Sequence, residues 1–216
     1  MQRARDVLNG WSLTGLLSLA VAVMALAIGA RHHFDLDGVR AVIRATARTS
    51  FLFFGLAFSA AALRAVWPNA WTRWQRRNRR YLGVAFAASH GVHAVAILSL
   101  ALVSPLAFRE ATTAPMLIFG GLGYLFIVLM VATSFDRTAH AIGARAWRVL
   151  HRVGANYLWL VFLNGFLSRA EGGVFYWMAV AVLIAIMLLR IAAWYFLDSA
   201  QQLPSEHEPG ARRYPA

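Results

Sequence analysis

The chain has 216 residues, of which 60% are hydrophobic and 14% charged, and it carries a formal net charge of +12. A soluble domain is about a quarter charged, so this balance excludes the ordinary soluble classes and points to a multi-pass membrane protein. Cysteine is absent, which excludes disulfides, thiol redox chemistry and Cys-ligated metal clusters.

Apolar runs recur that can cross a hydrocarbon core of about 30 Å at about 1.5 Å rise per residue. They predict an all-α fold, a six-helix transmembrane bundle with helices at 11–30, 49–67, 81–104, 116–134, 149–168 and 174–197. Residues 1–10 form a cytoplasmic N-terminus, 11–198 the membrane domain, and 199–216 a cytoplasmic tail without apolar periodicity that is expected to be disordered. Arg3 and Arg5 precede the first run, as in a signal peptide. That run is longer than a usual h-region, so a retained span is expected, with cleavage after the small residues Ala27 and Gly29 as the alternative.

Before the second run, Arg40, Arg44 and Arg48 fall on one helical stripe. It reads as a short interfacial helix with snorkelling arginines, or as a clamp for haem propionates or another anion. The 64–80 connection carries Arg64, Arg73, Arg76, Arg77, Arg79 and Arg80 with no acid, and 135–148 adds Arg137, Arg145 and Arg148 against Asp136. Both should be cytoplasmic, which puts both termini inside. All 21 basic residues are arginine, a uniformity that fits coding bias better than chemistry. Because they sit in short connections, topology accounts for the positive charge, and no nucleic-acid partner is expected.

Histidine supplies the candidate chemistry. His90 and His93 lie in the third run, three residues apart on one helical face, beside a strip of Gly83, Ala87, Gly91 and Ala94. Small residues admit a neighbouring helix or, equally, a flat macrocycle. His151 opens the fifth run, close to its cytoplasmic border. Imidazole in hydrocarbon is costly and usually has a partner, and it is a standard axial ligand of haem iron. By depth His151 is nearer to His90, with a mismatch of about 10 Å. His32, His33, His140 and His207 fall in loops or the tail and read as solvated. GGLG at 120–123 lies inside an apolar run without a βαβ unit, and neither HExxH nor GxSxG occurs.

At RRNRRYLG, at the histidines that follow it, and at TSFDR…RAWRVLHRVGANYLWLVF over 133–162, the chain resembles the ferric reductase-like transmembrane family. That family includes the haem subunit of bacterial methionine sulfoxide reductase systems and the membrane half of NADPH oxidases. The resemblance spans roughly residues 45–168. It implies haem b, one per chain, with iron bound axially by His90 or His93 on one side and His151 on the other. The family often has a second histidine where this chain has Asn164, which removes the partner for a second haem.

The implied role is an electron-transfer subunit of an oxidoreductase in a bacterial inner membrane. Electrons would come from a separate cytoplasmic or membrane donor, with a bound flavin or a quinone as candidates, and pass to an outer-face acceptor that the sequence does not name. Arg76, Arg77, Arg79, Arg80 and Arg145 would offer that donor a basic face. The competing reading is a haem-free membrane protein, a transporter-like helper or assembly scaffold that keeps the fold.

Overall fold

The computed structural model describes residues 8–202, and side chains as far as Tyr195. Among them there is no strand. The helices are α1 (Gly10–Arg31), α2 (Leu36–Val66), α3 (Ala70–Val103), the short α4 (Pro105–Ala111), α5 (Ala114–Ala132), α6 (Asp136–Leu167) and α7 (Val174–Gln202), with one 3₁₀ turn at Ala170–Gly172. Five of these, α1, α2, α3, α5 and α7, are long and apolar enough to cross a membrane. The protein is thus a helical chain of multi-pass membrane type. α6 is not among the five, because His151, Arg152, Asn156 and Asn164 interrupt its apolar stretch.

Several helices run well past their apolar runs, for local reasons. α2 begins at Leu36, where the Asp35 carboxylate accepts from the Gly38 N–H at 2.7 Å and caps the helix. The arginine stripe of residues 40, 44 and 48 is therefore the first half of one continuous helix and not a separate interfacial piece. α3 starts with a reciprocal cap between Asn69 and Thr72 and continues through the arginine-rich segment, since arginine is a good helix former. Its 34 residues span about 51 Å at the usual rise, so one end must stand outside a core of about 30 Å. α7 extends to Gln202, into the segment expected to be a disordered tail. The remainder of that tail, with His207, lies outside the described residues, as do residues 1–7.

α2 and α3 form the main seam, with α1 packed on both, α7 on α2 and α6, and α5 paired with α6 and touching α3. The seam is partly polar. Ser89 of α3 sits at 0% exposure with its hydroxyl 2.9 Å from both Ser50 and Thr49 of α2. Leu82, Ala85, Phe86, Ala96 and Leu100 are buried on the same side of α3. The expected small-residue strip is not this seam. Gly91 is exposed, Gly83 would carry a Cβ with nothing within 4 Å, and Gly83 and Ala87 face a cavity instead.

The core is aromatic. Phe54 stacks on Phe58 (ring centroids 5.1 Å) and Phe162 (5.2 Å) and meets Phe86 at 5.6 Å. Burying such rings supplies much of the packing energy between helices that have no hydrophobic drive in lipid. This layer links α2, α3 and α6 midway along the bundle. It also divides the histidines into two groups.

Candidate functional site

On the arginine side of the aromatic layer lies a cavity of about 340 Å³ between α2, α3, α5 and α6. Its walls are apolar: Phe54, Ala57 and Phe58 from α2, Gly83, Phe86 and Ala87 from α3, Ile127 and Met130 from α5, Ala155 and Leu158 from α6. Its mouth carries Arg76, Arg77, Arg79 and Arg80, with Asp136 the one acid among the lining residues. Arg80 bonds Asp136 at 2.7 Å, yet its Nε is buried without a partner. A concave apolar site of this size with a few convergent polar groups is the usual form of a small-molecule site.

His151 is the candidate histidine that lines this cavity. Its Nε2 is 3.0 Å from the Thr133 hydroxyl, and its ring stacks on Trp147 at 4.3 Å. Trp147 is itself held by its indole N–H, which donates to the Thr133 carbonyl at 2.9 Å. Thr133 thus fixes both rings from the end of α5. Trp147 reads from sequence as a belt or packing residue, and only its contact with His151 gives it a place in the site. Gly154, one turn further along α6, lets α5 approach closely: a Cβ there would lie 2.7 Å from Met130 Sδ.

His90 and His93 are on the far side of the aromatic layer and do not line the cavity. Their rings stack at 5.1 Å. His93 turns to α2, its Nδ1 lying 3.0 Å from the Thr46 hydroxyl and 3.1 Å from the Ile43 carbonyl. His90 lies against Phe86, Tyr124 and Phe162, and its Nδ1 is buried with no hydrogen-bond partner. His93 therefore has a structural bond, while His90 keeps an unsatisfied nitrogen.

The structure brings His90 and His93 together and leaves His151 at another level. Along α5, Tyr124 touches His90 and Thr133 bonds His151; the nine residues between them rise about 14 Å. Along α6, Phe162 meets His90 eleven residues beyond His151, a rise of about 16 Å. Two axial nitrogens on one iron must face each other across a single macrocycle. The residues as placed do not fit a haem held by His151 together with His90 or His93. What they leave for a haem is His151 alone, which lines the cavity together with the small residues Gly83 and Ala87.

Asn164 has no part in either group. It is exposed, on the face of α6 turned away from the bundle, because thirteen residues at about 100° each place it roughly opposite His151. Phe162 is the residue that α6 presents at the level of His90. Among the described residues no group of three or more His, Cys, Asp or Glu side chains could hold a bare metal ion. His33 and His140 are exposed, as expected, but His140 lies within α6 and not in a loop, and His32 is half-buried.

No family model, no curated protein and no solved structure matches this chain.

Proposed function

We propose that the chain is the membrane subunit of an electron-transfer system of the ferric reductase-like kind, holding one b-type haem in the arginine-mouthed cavity with His151 on the iron. One observation carries the reading: an imidazole oriented by Thr133 and Trp147 opens into an apolar cavity whose rim is cationic. Haem b is an apolar plate with two carboxylates, and bound there it would supply one-electron redox chemistry.

The chain's own residues would do the rest. Thr133 and Trp147 hold the His151 ring, and Arg76, Arg77, Arg79 and Arg80 neutralise carboxylates at the mouth. The phenylalanine layer excludes water from the floor. In this reading the second half of α6 crosses the bilayer as a sixth span, and both termini lie in the cytoplasm, on the arginine-rich side. The membrane is a bacterial inner membrane. The electron donor is a separate cytoplasmic protein, a bound flavin or a quinol, and the acceptor lies on the outer face.

The separation of His151 from His90 and His93 favours a second reading, a haem-free helper or scaffold with the same helices. Reduced-minus-oxidised absorbance of the full chain purified from haem-replete cells separates the two. A b-type spectrum lost in His151→Ala and kept in His93→Ala supports the haem reading. Haem-free protein, or loss of haem only on removing His90 or His93, refutes it.

A further inference from the structure

Behind the cavity wall, and not part of its lining, sits one further cation. Arg190 is the single charged residue in the apolar stretch Val174–Tyr195 of α7. Its guanidinium donates to the Phe58 carbonyl at 2.8 Å and lies over the Phe58 ring at 4.0 Å. Phe58 lines the cavity, as does Phe54, which stacks on it at 5.1 Å. Phe162 continues the pile beyond Phe54 at 5.2 Å. Arg190 thus closes the outer end of the phenylalanine layer and reaches the cavity through one residue.

An arginine in an apolar span is expensive and marks a function by default. Packing does not require it, since a leucine would seat α7 on α2 without burying a charge. Nor is its charge cancelled: the two ion pairs among the described residues are Arg40–Asp37 and Arg80–Asp136. A carbonyl and a ring hold the guanidinium and leave it cationic. In the reading above, the arginines of the mouth would be neutralised by the carboxylates they bind. Arg190, outside the lining, keeps its field, and the buried rings between it and the cavity screen that field far less than water would.

We infer that Arg190 raises the reduction potential of a haem held in this cavity, acting through space from behind Phe58. The inference rests on the haem reading above. Ferric haem carries one positive charge more than ferrous haem with the same ligands, so a fixed cation nearby disfavours the oxidised form. Uptake of one electron removes that charge, and no proton or ligand need move. A unit charge roughly 10 Å away, at an effective dielectric constant of about 20, changes the reduction equilibrium about tenfold.

The test is a redox titration of the full chain, purified in detergent from haem-replete cells, that reads haem per chain and the midpoint potential. Arg190→Gln should keep the haem content and lower the midpoint by about 59 mV, a tenfold change in the one-electron equilibrium. Arg190→Lys, which keeps the charge, should stay close to the native midpoint. Trp194→Glu sets a carboxylate one helical turn beyond Arg190, at an exposed position, and should lower the midpoint with the arginine still in place. It decides the matter if Arg190→Gln fails to fold or to hold haem. An unchanged midpoint overturns the inference and leaves the haem reading standing. So does an equal fall in Arg190→Lys, which would mark an effect of packing and not of charge. A chain that binds no haem overturns both.

Discussion

Removing the Ser89 hydroxyl tests whether the α2–α3 seam is held by polar contacts as well as by packing. In Ser89→Ala the Cβ stays, so no methyl-sized void opens, and the loss is that of the hydroxyl alone. Three contacts go: those to Ser50 and Thr49, each 2.9 Å long, and a longer one donated to the Thr46 carbonyl at 3.5 Å. Thr49 keeps its bond to the Thr46 carbonyl at 3.1 Å, whereas Ser50, at 0% exposure, is left without its partner. Interhelical hydrogen bonds in membranes average about 0.6 kcal/mol, up to about 1.7, and an orphaned buried hydroxyl adds about 1 kcal/mol or more. The expected loss is therefore about 1–2 kcal/mol.

Ser50→Ala should cost less, about 0.6 kcal/mol, because Ser89 keeps Thr49 and the Thr46 carbonyl, and the double variant should cost clearly less than the sum, because it leaves no Ser50 hydroxyl to orphan. The assay is reversible unfolding of the full chain in mixed micelles by added dodecyl sulfate, followed by circular dichroism. Additive single effects, or a Ser89→Ala cost under about 0.3 kcal/mol, would show that the hydroxyls are spectators of a seam held by Phe86 and Leu82.

Further outcomes follow from the site and its walls. Gly83 lines the same cavity as His151, and a Cβ there meets nothing within 4 Å, so Gly83→His has room to bring a second imidazole to that cavity. If the chain holds haem as proposed, its spectrum should then shift towards a low-spin, two-histidine form, and an unchanged spectrum would count against His151 and Gly83 sharing one haem cavity. Gly154→Leu forces atoms into Met130 and Phe126, 2.7 and 3.1 Å from the first added carbon, and should cost about 2–3 kcal/mol in the same unfolding assay. Asp136→Asn removes an ion pair whose acid is 83% exposed, and should change stability by less than about 0.5 kcal/mol at moderate salt. Gly143→Ala puts a side chain at φ 79°, ψ 155°, a region essentially reserved for glycine, and should cost about 1–3 kcal/mol.

The membrane class was legible because apolar runs of span length leave few alternatives. Helix limits were less legible: charge was read as a loop signal in 64–80, although arginine favours helix and the Asn69–Thr72 cap starts one. A periodic signal was present there. Thr72, Gln75, Asn78, Leu82 and Ala85 are all buried, a three-to-four-residue spacing that runs through the arginines. Asn78 even bonds back to the Gly10 N–H at 3.0 Å, tying the start of α1 to α3. The candidate histidines could be named from sequence, but not grouped. An arginine beside an apolar run does not mark the membrane border here, because Arg80 and Arg148 lie within long continuous helices. Thr133 carried no signal, because a threonine at a helix end looks like any cap until its hydroxyl is placed against an imidazole.

The break at Gly143 has a consequence for how this chain can vary. In an uninterrupted helix, each inserted or deleted residue would turn every later side chain by about 100°. At Gly143 the backbone leaves helical geometry, so the phase of residues 144–167 is not inherited from the start of α6 at Asp136. It is set afterwards, where Trp147 and His151 both anchor to Thr133. Segment 136–142 can therefore gain or lose residues without rotating the imidazole out of the cavity. The glycine acts as a register clutch between residues 136–142 and a face whose angle is fixed.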